Sequence, residues 1–361
     1  MSSLADVVCP ACNGALELAT GVDAAVVCAC GQRYPRVGGI AVLLPRAQDH
    51  VDLWRGQLGL LLERGQKTLE GLTEAGSADG LGEATRARLR GLGQAVREQV
   101  ADVAEVLGPA LGGAAAPAGA LPRGVVEYIG YLYRDWGWPS IGYRENDVAL
   151  GTLAELLAGR KLGRTLVLGA GACGLAYGLH LQAGATQTVA VDIDPYLLVI
   201  AERVVRGIEV RLTEASVKVM DEEHVSRTWL LSAASGPLGP EAFQCLFADG
   251  TRPPFADSSF DSVVTPWFID QVPRDLPAFV QELRRLLRPG GLWLNHGPLI
   301  YPETIPFERR YAQGELFELL GQSGFALRGS SRSSERYLVS PLSGAGKVEA
   351  VLSFLAERER V

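Results

Sequence analysis

Apolar positions along the chain fall into three regimes. Between residues 48 and 107 they recur at helical spacing. Leu89, Leu92, Val96, Val100, Val103 and Leu107 lie at steps of three and four, which puts them on one helix face. Val51, Leu53, Leu58, Leu61, Leu62, Leu69 and Leu72 supply a partner helix, and the segment 76–82, GSADGLG, reads as the turn between them. The pattern predicts a packed helical pair; a lid or a docking arm is the alternative use of the same pair. Before it, short strand-like runs appear at Ala15–Leu18, Ala25–Val27 and Ile40–Leu44, which predict a small β ribbon. After it, apolar runs of strand length alternate with helical segments. Residues 164–169 and 189–193 read as strands around a helix at 175–182, and 260–265 and 292–294 read as strands around a helix at 275–288 that ends in Arg-Pro-Gly-Gly. Strands alternating with helices predict an α/β sheet with helices on both faces.

The stretch from Thr165 to Val191 carries no Asp, Glu, Lys or Arg and is long enough to span a bilayer. Five glycines, His180 and two glutamines interrupt it, so it reads as a buried strand and a glycine turn, with no membrane role. Residues 108–124, GPALGGAAAPAGALPRG, are small, Gly/Pro-rich and almost uncharged, which predicts a linker. The expected division is a ribbon at 1–46, a helical segment and linker at 47–124, and an α/β domain at 125–361.

Composition narrows the function classes. Glycine is in excess, 43 of 361 residues, about 12% against a usual ~7%, and no G-x-y period accompanies it. A net charge of −7 argues against a bulk electrostatic grip on nucleic acid. The opening residues MSSLADVVCPAC lack a basic and an apolar region of the signal-peptide kind, so the expectation is a cytoplasmic protein whose six cysteines are thiols or metal ligands.

Four of those cysteines, Cys9, Cys12, Cys28 and Cys30, lie within 22 residues as C-x2-C, fifteen residues, C-x-C. Thiolates on two short turns form a closed tetrahedral zinc site, and a piece this small needs such a staple to fold. The alternative is a metal-free ribbon with free thiols. Four cysteines close the coordination shell, so the role is structural or docking, not catalytic. The phrases CPACNGALEL, CGQRYP and GGIAVLLP resemble the short zinc ribbons typified by the small activator subunit of tRNA and protein methyltransferases, over about residues 7–45; the second pair in that family is more often C-x2-C.

In the α/β part, Gly169-Ala-Gly171-Ala-Cys-Gly174 follows a strand and opens a helix, and Asp192 ends the next strand. Glycines there let backbone approach a nucleotide closely, and an acid at that position takes ribose hydroxyls. The motif alone does not separate nicotinamide, flavin and S-adenosylmethionine cofactors. Four further features, in order, separate them: Asp192, Phe247-Ala-Asp249-Gly250, Phe260-Asp-Ser-Val-Val264, and Arg288-Pro-Gly290-Gly291 before a strand. This order resembles the class I S-adenosylmethionine-dependent methyltransferases, with their Rossmann-like sheet. The resemblance implies that Gly169 and Gly171 face the methionine part of the cofactor, that Asp192 binds the ribose, and that Asp249 and Gly250 border the adenine. Cys173 inside the loop reads as a small packing residue.

A narrower resemblance lies in Tyr131-Leu-Tyr-Arg134-Asp-Trp136, in Trp267-Phe-Ile-Asp270 and in Asn295-His-Gly-Pro-Leu-Ile-Tyr301. These look like the carnosine N-methyltransferase family, over roughly residues 128–340, as does the long insertion between Asp192 and Asp249. The family methylates an imidazole nitrogen of histidine-containing dipeptides and proteins. It implies that Arg134 holds the cofactor carboxylate, that Trp267 packs on the cofactor, that Asp270 accepts the imidazole N–H, and that Tyr337 lies beside the substrate. Arg134 otherwise reads as a surface charge paired with Asp135, and Asp270 as a helix N-cap, for which Asp275 is better placed. His296 is a base, a polar wall or a packing residue; His50, His180 and His224 show no partner spacing and read as structural. The chain departs from the family where Pro302 replaces a histidine, where Gln271-Val-Pro follows Asp270, and where Lys347-Val-Glu349 lies in place of a second tyrosine. The expected activity is methyl transfer to nitrogen in a small molecule or peptide. The alternatives are an RNA or protein methyltransferase whose ribbon docks its partner, and a non-catalytic scaffold.

Overall fold

The computed structural model describes residues 6–19, 25–115, 128–216, 225–272 and 275–360. His224, and the expected linker from residue 116 on, lie outside the described residues. The chain opens with β1 (Leu16–Leu18), β2 (Val26–Cys28) and β3 (Arg33–Tyr34), an antiparallel ribbon, followed by β4 (Arg36–Val37) and β5 (Ile40–Leu43). Two long helices follow, α1 (Ala47–Gly76) and α2 (Glu83–Leu111), joined across the expected turn. α2 continues through Gly108–Leu111, read above as linker, to a left-handed cap at Gly112. Next come α3 (Ile129–Leu132), a π-turn over Tyr133–Gly137, and α4 (Asn146–Leu157).

The α/β part runs β6 (Gly163–Leu168), α5 (Gly174–Gln182), β7 (Ala185–Asp192), α6 (Pro195–Val205), an inserted hairpin of β8 (Val210–Ala215) and β9 (Ser226–Leu231), then β10 (Phe243–Ala248). It closes with β11 (Phe260–Pro266), α7 (Leu276–Leu286), β12 (Leu287–Gly297), α8 (Gln313–Gln322), β13 (Phe325–Tyr337) and β14 (Lys347–Arg358). One nine-stranded sheet has the order β13-β14-β12-β11-β6-β7-β10-β5-β4. β5, β10, β7, β6, β11 and β12 are parallel, and β14 runs against both its neighbours. From β6 the chain moves one way through β7 to β10, then returns to the other side for β11 and β12. The order therefore reverses at β6 and β11, and ligands of open α/β sheets bind beyond the carboxyl ends of strands at such a point.

Ile40–Leu43 corrects the sequence reading in one respect. It leaves the ribbon and joins the edge of the central sheet, with Val42 opposite Phe247 and Leu43 opposite Ala248. All four of its residues are buried. An unbroken apolar run suits a strand covered on both faces, whereas a ribbon strand would alternate. A second tie fixes the ribbon: the Val8 amide donates to the Pro254 carbonyl at 2.9 Å, and the Ala256 amide to the Asp6 carbonyl at 3.0 Å.

The helical pair packs against the same domain. Trp54 of α1 lies against Phe247 of β10, with ring centroids 5.0 Å apart. Asp102 of α2 is buried and accepts from the Thr213 hydroxyl of the hairpin at 2.7 Å. The hairpin is pinned by Glu214, whose carboxylate accepts from the indoles of Trp138 (2.9 Å) and Trp229 (2.8 Å) and from the Ser340 hydroxyl (2.6 Å). A buried carboxylate with three donors is satisfied, so it orders the insertion and is not left as a reactive group.

Candidate active site at the carboxyl ends of the strands

The glycine loop sits where β6 ends. Gly169 has φ +68° and Gly171 φ +54°, backbone that side chains rarely adopt. A Cβ on Gly169 would also stand 2.5 Å from the Phe268 ring, so the position excludes a side chain twice over. Cys173 is left-handed too, buried, and caps α5. Asp192, at the end of β7, turns its carboxylate into the loop. It accepts from the amides of Gly171 (2.7 Å), Ile193 (2.7 Å) and Asp194 (2.9 Å), while burial pushes its carboxyl up from the ordinary value. Ile193, beside it, is 58% exposed, an apolar side chain open to solvent that the sequence reading overlooked. Asp249 follows β10 and accepts from the amide and hydroxyl of Thr251 at 2.8 and 2.7 Å. Gly250 lies so close to Phe268 that a Cβ would come within 2.8 Å of its ring. A groove of about 510 Å³ opens beside Asp249, walled in part by Val8, Pro10 and Asn13 of the ribbon.

Arg134 is buried in the π-turn, and its Nε donates to Asp135 at 2.7 Å. The pair foreseen from the sequence therefore exists, but inside the protein and not on its surface. Asp135 also accepts from the Gly174 amide at 2.8 Å and from Asn146 at 2.9 Å. It thus locks the Arg134 turn to the start of α5, a role missed because only Arg134 drew notice in the RDW motif. A Cβ on Gly174 would fall 2.5 Å from Asp135, which explains the last glycine of the motif.

The strand ends beyond the glycine loop carry an aromatic and acidic cluster. Trp267 has φ +45°, a strained conformation for a bulky residue, held by its amide to the His296 carbonyl at 2.8 Å and its indole to Glu349 at 3.1 Å. Its ring meets His296 edge-on at 4.7 Å and Tyr337 at 5.3 Å. The Tyr337 hydroxyl bonds that of Tyr131, and the Arg134 guanidinium lies 5.0 Å from the Tyr131 ring centre. His296 is wholly buried between the Ser353 hydroxyl (2.8 Å) and Glu335 (3.2 Å). Burial raises the Glu335 carboxyl, but bonds from His296 and Ser333 outweigh it and hold it below the usual carboxylate range. Asp270 is 3% exposed and accepts from the Ile300 amide at 3.3 Å; burial pushes its carboxyl up to about 6. Asp275, not Asp270, caps α7. Glu335 and Glu349 were not foreseen as site residues. They face each other across the β13–β14 ladder and reach the site only through that register.

In the ribbon, the sulfurs of Cys9 and Cys30 lie 3.8 Å apart and those of Cys12 and Cys28 3.5 Å, with all four within 4.8 Å of one another. Four sulfurs at about 2.3 Å from one zinc stand roughly 3.8 Å apart, so the cluster can hold the ion. The short Cys28-Ala-Cys30 pair reaches this geometry through a turn at Gly31, φ +90°, closed by its amide to the Cys28 carbonyl. Tyr34 bonds the Cys9 sulfur at 3.1 Å, an outer-shell contact of the kind that orients a ligand.

Residues 166–294 match the family described as "Methyltransferase domain". A 45-residue stretch is 44% identical to a carnosine N-methyltransferase of Dictyostelium discoideum, over 12% of this chain and 10% of that protein's length. Among solved structures, a complex between the Haloferax volcanii Trm112 methyltransferase activator and a protein assigned as a methyltransferase shares 16% identity, covering 65% of this chain and 96% of that one, with a TM-score of 0.41. An S-adenosylmethionine-dependent methyltransferase of Aquifex aeolicus shares 14%, covering 59% and 89%, with a TM-score of 0.35. Among the described residues no helix is long and apolar enough to cross a membrane. The stretch at 165–191 is instead β6, α5 and β7. Glycine loop, strand order and family match together mark residues 166–294 as similar to the methyltransferase-domain family.

Proposed function

We propose that the protein transfers a methyl group from S-adenosylmethionine to a nitrogen, in an imidazole of a small molecule or peptide. The observation that carries this reading is Asp270, a buried carboxylate at the carboxyl end of β11, three residues beyond Trp267. Bound S-adenosylmethionine supplies an electrophilic methyl on a sulfonium. Gly169 and Gly171 would admit its methionine part, Asp192 its ribose, and Asp249 with Gly250 its adenine. Arg134 is the cation available for its carboxylate, as a charge-assisted pair. Asp270 accepts an imidazole N–H, which leaves the lone pair of the other nitrogen free. An imidazole is neutral near pH 7, so little base assistance is required, and alignment in a dry site carries most of the rate. His296, held between Ser353 and Glu335, braces Trp267 from the side.

The test is a transfer screen with methyl-labelled S-adenosylmethionine against histidine, histidine dipeptides and cell extract, with the modified atom located by mass spectrometry. Label on oxygen or carbon alone would refute the nitrogen assignment. For the cofactor half, Asp192→Asn is expected to weaken S-adenosylmethionine binding by about 10- to 100-fold in calorimetry, the worth of charge-assisted bonds to two hydroxyls. Unchanged affinity would remove Asp192 from the cofactor site.

A further inference from the structure

The acceptor side of the site holds more negative charge than it neutralises. Asp135 is paired with Arg134, and Glu349 with Lys347. Glu335 has His296 and Ser333, Glu145 accepts from the Leu338 and Val339 amides, and Asp270 has the Ile300 amide. Among the described residues these last three form no ion pair with Lys or Arg. Asp270 and Glu335 are buried and Glu145 half-buried, and burial without a cation beside it is what pushes the Asp270 carboxyl up. A positively charged ligand opposes that push.

One cation already shows how such a ligand would seat. Lys347 starts β14 with its side chain 61% exposed, yet its ammonium reaches in to Glu349 and lies 4.9 Å from the centre of the Tyr337 ring. The other Glu349 oxygen takes the Trp267 indole N–H, and the Trp267 and Tyr337 rings pack tilted against each other beside it. A buried carboxylate flanked by an indole and a phenol is an ammonium-binding environment.

We propose that the box of Glu349, Tyr337 and Trp267 reads a positive charge on the methyl acceptor, whose ammonium replaces that of Lys347; the acceptor is therefore an amine-bearing cation. The proposal rests on the methyltransferase reading but not on the imidazole. Glu349 is the specificity-determining residue, and it stands in the region where the carnosine family carries a tyrosine.

The experiment measures binding of two matched pairs to the full chain saturated with S-adenosylhomocysteine: histamine against imidazoleacetate, and phenethylamine against phenylacetate. Each amine is expected to bind at least about tenfold tighter than its acid partner, in the range cation–π and carboxylate contacts supply. Glu349→Gln should erase the preference. Lys347→Ala, on an exposed side chain, should enlarge it by removing the internal competitor. Phenethylamine binding as well as histamine would retire the imidazole and leave the charge assignment standing. Histamine and imidazoleacetate binding alike would do the reverse. Preference for the acids, no binding of either amine, or an amine preference that survives Glu349→Gln would overturn the proposal.

Discussion

Replacing Cys9 and Cys28 together by serine is expected to abolish zinc content and to lower the midpoint of thermal unfolding by about 6–12 °C. The wild-type chain should purify with about one zinc per molecule by elemental analysis. The size follows from where the ribbon is attached. A structural zinc site commonly contributes ten or more kcal/mol to the fold of a small domain, because the ligands are not assembled without it. Most of that is local. The part that reaches the main domain passes through β5, whose four buried residues extend the central sheet, and through the Val8–Pro254 and Asp6–Ala256 backbone bonds. Loss of about 3 kcal/mol there corresponds to the stated shift for a domain of this size. The same variant should bind S-adenosylmethionine more weakly, since Val8, Pro10 and Asn13 wall the groove beside Asp249. Wild-type protein with under about a tenth of a zinc per chain would sink the metal assignment. A variant that loses zinc but keeps its midpoint would show that the ribbon is attached without support from the ion.

What the sequence disclosed and withheld divides along a physical line. Local periodicity was enough for α1 and α2, for β6, α5 and β7, and for the Asp275 cap, because each is set by neighbours within a turn or two. The expected Rossmann-like sheet is present, and so is the cysteine cluster. Partners chosen by register were not legible. Ile40–Leu43 has the same local pattern whether it closes a ribbon or borders β10, and only its unbroken apolar run hinted at two covered faces. Glu335 and Glu349 look like surface glutamates on strands of mixed polarity; they reach His296 and Trp267 only because β14 runs antiparallel between β12 and β13. Glu214 likewise needs Trp138, Trp229 and Ser340 from three separate elements. The glycine motif suggests a nucleotide-type ligand without separating its kinds, and the reason for its third glycine, contact with Asp135, requires the fold.

Asp270→Asn is expected to cost about 10²- to 10³-fold in kcat/KM for the methyl acceptor while leaving S-adenosylmethionine affinity within about twofold. The same substitution should stabilise the protein, and that opposition separates a functional carboxylate from a structural one. Burial raises the Asp270 carboxyl from 3.8 to about 6. The folded state therefore favours the protonated form. Its contribution is fully present below pH 3.8 and is lost as pH rises through about 6, where the folded protein must ionise a buried group. Asparagine keeps an oxygen for the Ile300 amide but never ionises. At pH 7.5 the variant should thus be the more stable, by on the order of 1–2 kcal/mol after allowance for solvent relaxation. Near pH 4 the two proteins should unfold alike. The rate behaves oppositely: wild-type turnover rises through about pH 6 as the carboxylate forms, together with the ionisation of an imidazole acceptor near 6.5. The variant should retain only the limb that belongs to the acceptor. Equal turnover by both proteins across that range would remove Asp270 from the chemistry. A variant that is both slower and less stable at pH 7.5 would reduce it to a packing residue.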